Sequence, residues 1–208
     1  MRAIVDIETD SLDATKVHCI VAKDIDSGRV YPFPPNLLYG FRDWSLGVKQ
    51  FIMHNGLIFD APVLNRLLGT KIKVNQVIDT LVLSQLYNPI RDGHSLKAWG
   101  KRLSMPKGDV DSFEVYTPEM LEYCKQDVNI THKVFQELEK EGKGFSDYSS
   151  EIEHKIRVII HKQKKNGFAI DMEKAMGLFN KLKDEADNLE KWSLDNFDPT
   201  VVELKTKT

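Results

Sequence analysis

Asp6 and Glu8 stand two residues apart at the end of an apolar strand, and theirs is the first spacing in this sequence that could do chemistry. Alternate strand residues share a face, so both carboxylates project together from a buried element. Two like charges that close are costly to bury unless a cation binds them. Chance predicts roughly one Asp-x-Glu in a chain of this composition. Here there are two, the other being Asp171-Met172-Glu173. That second pair falls at a helix start, where acids stabilise the positive end of the macrodipole, and needs no other explanation.

Two more patterns supply what a cation would need. In His54-Asn55-Gly56-Leu57-Ile58-Phe59-Asp60 a strand end turns into a helix with a carboxylate in its first turn. Taken alone, Asp60 reads as a helix-start acid and Asn55 as a turn residue. His54 is given no metal role, because no second His or Cys lies at ligand spacing. In Tyr123-Cys124-Lys125-Gln126-Asp127 the i and i+4 positions put phenol and carboxylate on one helix face. Tyr39 and Asp43 have the same spacing, but their stretch carries Gly40 and no clean helical start, so it is expected off a helix. In chain order these patterns form one constellation: two carboxylates on the first strand, one at a strand-to-helix turn, and Tyr with Asp on a late helix. An all-oxygen ligand set suits hard divalent cations, Mg²⁺ or Mn²⁺, rather than zinc. Two such ions about 3.5–4 Å apart hold a phosphodiester, activate water and stabilise the leaving oxygen of an in-line displacement.

The patterning also gives the elements that must hold these residues. Residues 2–7 and 16–23 read as strands; after a turn at Asp26-Ser27-Gly28, residues 29–33 read as a third, antiparallel to its neighbour, until Pro34 and Pro35 stop it. A less regular stretch leads to a short buried strand at 50–54. Residues 59–68 then carry helical spacing, with Gly69 as the stop. Val77 and Ile78 run into Asp79, the N-cap of a short helix over 80–86. Residues 88–111, rich in Gly, Pro and Asp, read as a loop region flanking the site, with one helical piece at 95–102. Thr117 and Pro118 start a long helix through 120–138, and further helices cover 151–165 and 172–192; the last ten residues look unfinished. Strands first and helices later make an α/β class, a mixed sheet covered by helices.

Composition bounds the partners. Hydrophobic residues make up 41% of the 208 and charged residues 29%, and no apolar run approaches a membrane span. A disordered or membrane reading is excluded, and the opening residues carry no secretory signal. Cys19 and Cys124, far apart and outside any CxxC, read as reduced structural thiols. The net charge is −2 and neither half is a basic arm, so a polyanionic substrate requires bound cations to supply local positive charge.

At this point DIETDSL, HNGLIFDAPVL and YCKQD resemble the three motifs of the proofreading 3′–5′ exonuclease domain of family A DNA polymerases, closest to the bacteriophage replicative type. IDTLVLSQL and HSLKAWGKRL look like the same branch, and the likeness spans roughly residues 1–140. It implies a ribonuclease H-like fold, a central mixed β-sheet flanked by helices, with C-terminal helices leading toward a polymerase thumb. By matching positions it implies Asp6, Glu8, Asp60 and Asp127 as metal ligands and Tyr123 as the residue that orients the attacking water. Asp6, Glu8 and Asp127 would hold one Mg²⁺, and Asp6 would bridge to a second near Asp60, with Mn²⁺ as substitute. Leu12 resembles the position that wedges between the last two bases, while Thr9 and Asn55 line the terminal nucleotide. Lys162, Lys164 and Lys165 read as a solvated helix end.

The resemblance implies hydrolysis of single-stranded DNA 3′ ends to nucleoside 5′-monophosphates, in the cytoplasm of an infected bacterial host. Residues 1–145 would be the exonuclease domain and 146–208 a helical link into the thumb of a longer polymerase, whose nucleotide-adding motifs are not among these residues. A processivity factor or helicase of the replisome would be a partner of that longer chain. The alternatives are a catalytically silent DNA-binding or structural module, and a stand-alone RNase D-like exoribonuclease. The complete carboxylate set argues against the first and the thumb-like tail against the second.

Overall fold

The sheet is built around its first strand. Arg2–Thr9 (β1) turns Ala3, Val5 and Ile7 to one face and Ile4 to the other, so Asp6 and Glu8 share the face of Ile4. The computed structural model describes residues 1–108 and 112–198; the end of the passage over 88–111 and the last ten residues lie outside these. Val17–Asp24 (β2) runs antiparallel to β1, and Val30–Phe33 (β3) antiparallel to β2. On the other side Gln50–Met53 (β4) and Val77–Asp79 (β5) add in parallel, giving the mixed order β3-β2-β1-β4-β5. Glu8 lies opposite Cys19, and the register shifts between Glu8 and Thr9. Such bulges re-aim side chains next to active sites.

Helices cover both faces. Leu38–Ser45 (α1) and Asp60–Leu68 (α2) bury Phe41, Val63 and Leu64 with the face of Ala3, Val5 and Ile7. Thr80–Tyr87 (α3) and Leu96–Arg102 (α4) contribute Leu83, Leu96 and Trp99 to a cluster with Ile130, Val134 and Leu138 of Pro118–Glu141 (α5). One turn back along α5, Met120, Cys124 and Val128 close over Ile4, Cys19, Val21 and Ile52. Thr117 and Asp79 cap α5 and α3 as the sequence predicts, and Ser95, read as the first residue of its helix, instead caps α4 by accepting an N–H. Both cysteines are buried free thiols, as read.

One stretch departs from expectation. Residues 38–45 form a helix, so Tyr39 and Asp43 do share a helical face after all. Gly40 costs a helix about 1 kcal/mol, but Phe41 is fully buried and packs with Trp44 against Phe33. Burial of two aromatic rings outweighs that local penalty. Tyr39 is exposed and Asp43 pairs with Arg42, so the pair remains a surface feature.

A compact unit extends from Met1 to Lys165 and takes in most of Asp147–Asn166 (α6); a second begins at Asn166 and holds Met172–Asn196 (α7). Asp171 caps α7 by accepting the Lys174 N–H at 3.1 Å, which accounts for the second Asp-x-Glu. Lys162, Lys164 and Lys165 are exposed at the end of α6, where they complement the dipole. Within the first unit, β5 is an edge strand, and the Asp79 N–H donates to His154 Nε2 at 2.8 Å. His154 Nδ1 in turn meets the Ser150 carbonyl at 2.6 Å, so both ring nitrogens are used. His154→Ala leaves a buried N–H unpaired. It is expected to cost about 1–3 kcal/mol, a Tm loss of roughly 3–10 °C, with faster hydrogen exchange at Asp79 as the local readout.

Candidate active site

Three elements deliver the acids. β1 carries Asp6 and Glu8 to the face that α5 covers, and α5 presents Tyr123 and Asp127 one turn apart. Asp60 is the first residue of α2, and its carboxylate meets the main-chain N–H of Ile7 on β1. The turn before α2 is fixed from several sides. Asn55 adopts a left-handed φ of 67°, which Asn tolerates better than most residues. A Cβ on Gly56 would stand 2.2 Å from that of Met53, so only glycine fits. The Asp79 carboxylate, while capping α3, accepts the N–H groups of Asn55 at 2.8 Å and Leu57 at 3.1 Å. Arg157 of α6 donates to Asn55 Oδ1 at 3.0 Å.

The result is a concentration of like charge. Carboxylate oxygens of Asp6 and Glu8 and the Cys124 Sγ lie within 4.8 Å of one another. Burial, then Glu8, Asp127 and Asp60 in turn, raise the Asp6 carboxyl well above the usual range. Burial first and Asp127 next push Glu8 up to about 8. Asp60 rises to about 7, chiefly through burial, against the pull of its own and Ile7's N–H groups. Burial also raises Asp127, and Lys107 partly offsets the rise. Lys107 Nζ sits 2.5 Å from Asp127 Oδ2 and 4.7 Å from the centre of the Tyr123 ring. The other carboxylate oxygen, Asp127 Oδ1, is buried without a hydrogen-bond partner among the described residues. Clustered buried acids with an unpaired oxygen fit a hard divalent cation.

Beside the acids opens a cavity of about 470 Å³ lined by His54, Asn55, Leu81, Leu96, Lys107 and Tyr123. His54 is held near 4, by burial first and Lys107 second, so it is neutral, and its Nδ1 bonds Thr80 Oγ1 at 2.9 Å. Thr9 and Leu12 are not in this cavity wall. The Thr9 hydroxyl donates to the Ser11 carbonyl at 2.9 Å, and Leu12 is 93% exposed on the loop that follows β1. The residues that sequence reasoning missed are Lys107, Arg157 and His154, together with the turn-holding role of Asp79. A Pro-Lys-Gly turn ahead of the acid-bearing helix was the one local signal for Lys107.

The sequence model of the 3′–5′ exonuclease family matches residues 4–143. The chain is 28% identical to the DNA-directed DNA polymerase of Enterobacteria phage T3 and 27% identical to that of Escherichia phage T7. Each alignment covers 80% of this chain and 33% of the polymerase, so the chain spans a third of the length of these relatives. Its fold is similar to Brucella melitensis NrnC with bound Mg²⁺, with a TM-score of 0.60 at 22% identity over 80% of this chain and 86% of that one.

The raised carboxyls make stability depend on pH in a fixed sense. A buried acid with a folded pKa above its unfolded one binds its proton more tightly when folded, so its cost is absent in acid and grows as pH rises. For Glu8 and Asp60 that growth is complete above about 8 and about 7. In chelator, Tm is expected to fall by roughly 5 °C between pH 6 and pH 9, and Glu8→Gln to flatten the fall, as followed by thermal unfolding at stepped pH.

Proposed function

The chain belongs to the 3′–5′ exonuclease family, and on that premise we propose that it trims single-stranded DNA from the 3′ end as the proofreading part of a longer, phage-type DNA polymerase. The observation that carries this reading is the convergence of Asp6, Glu8, Asp60, Asp127 and Tyr123 beside one cavity. The phage relatives, each three times the length of the match, favour DNA as the substrate and a polymerase as the remainder of the molecule. Residues 1–145 are then the nuclease proper, and 146–208 lead through α6 and α7 toward the polymerase thumb. A processivity factor or helicase would bind the longer chain, which would work in the cytoplasm of the infected host cell.

Each side chain then has a task set by its place. Asp6, Glu8 and Asp127 would hold one Mg²⁺ and Asp6 with Asp60 a second, Mn²⁺ substituting; bound there, the pair lowers the pKa of the attacking water and neutralises charge on the scissile phosphate and leaving oxygen. Tyr123, half-buried with its phenol raised above its ordinary value chiefly by burial, keeps its proton at neutral pH. It orients the attacking water and is not the base. Asn55 lines the terminal nucleotide from the turn before α2, and Thr9 closes the same end of β1. Leu12, exposed beyond the acids, offers an apolar edge for the last two bases to part around. Such contacts use backbone and stacking, so sequence preference is slight.

Release of mononucleotides from 3′-labelled single-stranded DNA, beside RNA of the same sequence, tests the reading. Trimming of DNA is expected with Mg²⁺ or Mn²⁺ and not with chelator. Asp6→Ala is expected to lose about 10³-fold or more in rate with its circular dichroism unchanged, and Tyr123→Phe about 10–100-fold, since only the placement of water is lost. Equal or faster trimming of RNA would favour an exoribonuclease, and folded protein that cuts neither strand would favour a binding module.

A further inference from the structure

Lys107 reaches the acids along a path shaped to bring it there. Trp99 of α4 is fully buried, its Nε1 donating to Ser84 Oγ at 3.0 Å, and this fixes α4 on α3. At Gly100 the chain folds back on the helix: the Met105 N–H donates to the Gly100 carbonyl at 2.8 Å, and a Cβ on Gly100 would stand 2.6 Å from the Met105 carbonyl oxygen. Gln126, the neighbour of Asp127 on α5, donates to the Pro106 carbonyl at 2.9 Å. The backbone entering Lys107 is thus pinned both to α4 and to the helix that carries Asp127. From there the side chain spans two places. Its ammonium lies on Asp127 Oδ2, and its body lines the cavity with Asn55 and Tyr123.

An ammonium on Asp127 Oδ2 and a divalent cation on the unpartnered Oδ1 would share one carboxylate and repel each other. Electrostatics favours the ion of higher charge, which also draws on Asp6 and Glu8. Lysine suits an exchange of this kind: its charge is a compact point on a flexible four-carbon stem, so it moves by rotamer change with the backbone fixed. We propose that Lys107 is an exchangeable cation, which yields Asp127 to the divalent ion and turns into the adjoining cavity, where it binds a phosphate oxygen of the substrate strand. The lysine keeps its proton throughout. Its positive charge stays in a site that must accept a polyanion, and only its partner changes, from carboxylate to phosphate. The inference rests on the metal-centre reading above and adds a substrate-binding residue to it.

The proposal requires one substitution to act on two ligands in opposite directions. Mn²⁺ binding to the 208-residue chain, followed by electron paramagnetic resonance with Mn²⁺ as the sole ligand, is expected to be about tenfold tighter in Lys107→Met and within about threefold of wild type in Lys107→Arg, which keeps the charge. At saturating Mn²⁺, KM for a 3′-labelled single-stranded oligonucleotide is expected to rise about tenfold in Lys107→Met. A lysine that merely braced its loop would weaken both ligands together. Mn²⁺ affinity unchanged or lowered in a variant folded by circular dichroism, or an unchanged KM, overturns the proposal. A wild-type chain that takes up no Mn²⁺ overturns the metal-centre reading itself, and the proposal with it.

Discussion

Four carboxylates gathered from a buried strand and two helices repel one another, and much of the surrounding structure answers that repulsion. Water would screen such charges, but here burial is the largest cause of each raised carboxyl, and repulsion among the four adds to it at Asp6 and Glu8. A fold selected for stability alone would replace these groups with apolar ones of similar size. Their presence at the centre of the sheet, on its first strand and against its longest covering helix, fits the divalent ions proposed above, which would relieve that cost. Proteins carry such strain at functional sites and compensate for it in the packing elsewhere. Here the compensation is the apolar alternation of β1 and the stripe of α5, which together bury Ile4, Cys124 and Val128 immediately beside the charges.

Repulsion would also scatter the acids if the elements bearing them were loose, so each is clamped by groups that do not themselves face the site. The turn before Asp60 is the clearest case. Asp79 spends three of its acceptor positions on the N–H groups of Asn55, Leu57 and Leu81, and His154 receives the N–H of Asp79 itself. One buried carboxylate therefore ties the β4 end, the β5 end and the start of α3 together, and α6 closes the assembly through His154 and Arg157. A carboxylate that accepts several N–H bonds is well compensated, which is why Asp79 is tolerated while sealed entirely from water. This places α6 in the architecture of the site, although the motifs that draw attention to the site all end before it.

What could be read from the sequence, and what could not, follows the range of the interactions. Asp6 with Glu8, and Tyr123 with Asp127, are spacings within one element, so strand and helix periodicity reveal them. The caps Thr117 and Asp79 are equally local and were legible, as was the acidic helix start at Asp171. Helix α1 was not, because its own signals, Gly40 and the paired prolines ahead of it, argue for a loop, and only tertiary burial of Phe41 and Trp44 decides otherwise. His154 and Arg157 act on partners 75 and 102 residues away, and no period or motif announces contacts of that span. Lys107 is a lone lysine in a Pro-Lys-Gly turn, and its meaning exists only once α4, Gly100 and Gln126 have aimed it.

The near-neutral charge of the molecule belongs to the same account. Proteins that hold nucleic acid through broad basic surfaces gain affinity along the whole strand. Net charge here is −2, so on the reading proposed above the attraction for a phosphodiester would be made locally, by ions held at the acids. A site whose positive charge came from bound ions and Lys107, as proposed, would hold a strand only where that strand enters the cavity. Contact is then short, and release after each cut carries little electrostatic penalty. Were the strand passed back to a polymerase domain, as proposed, weak binding over a short length would be an advantage that a basic groove would remove.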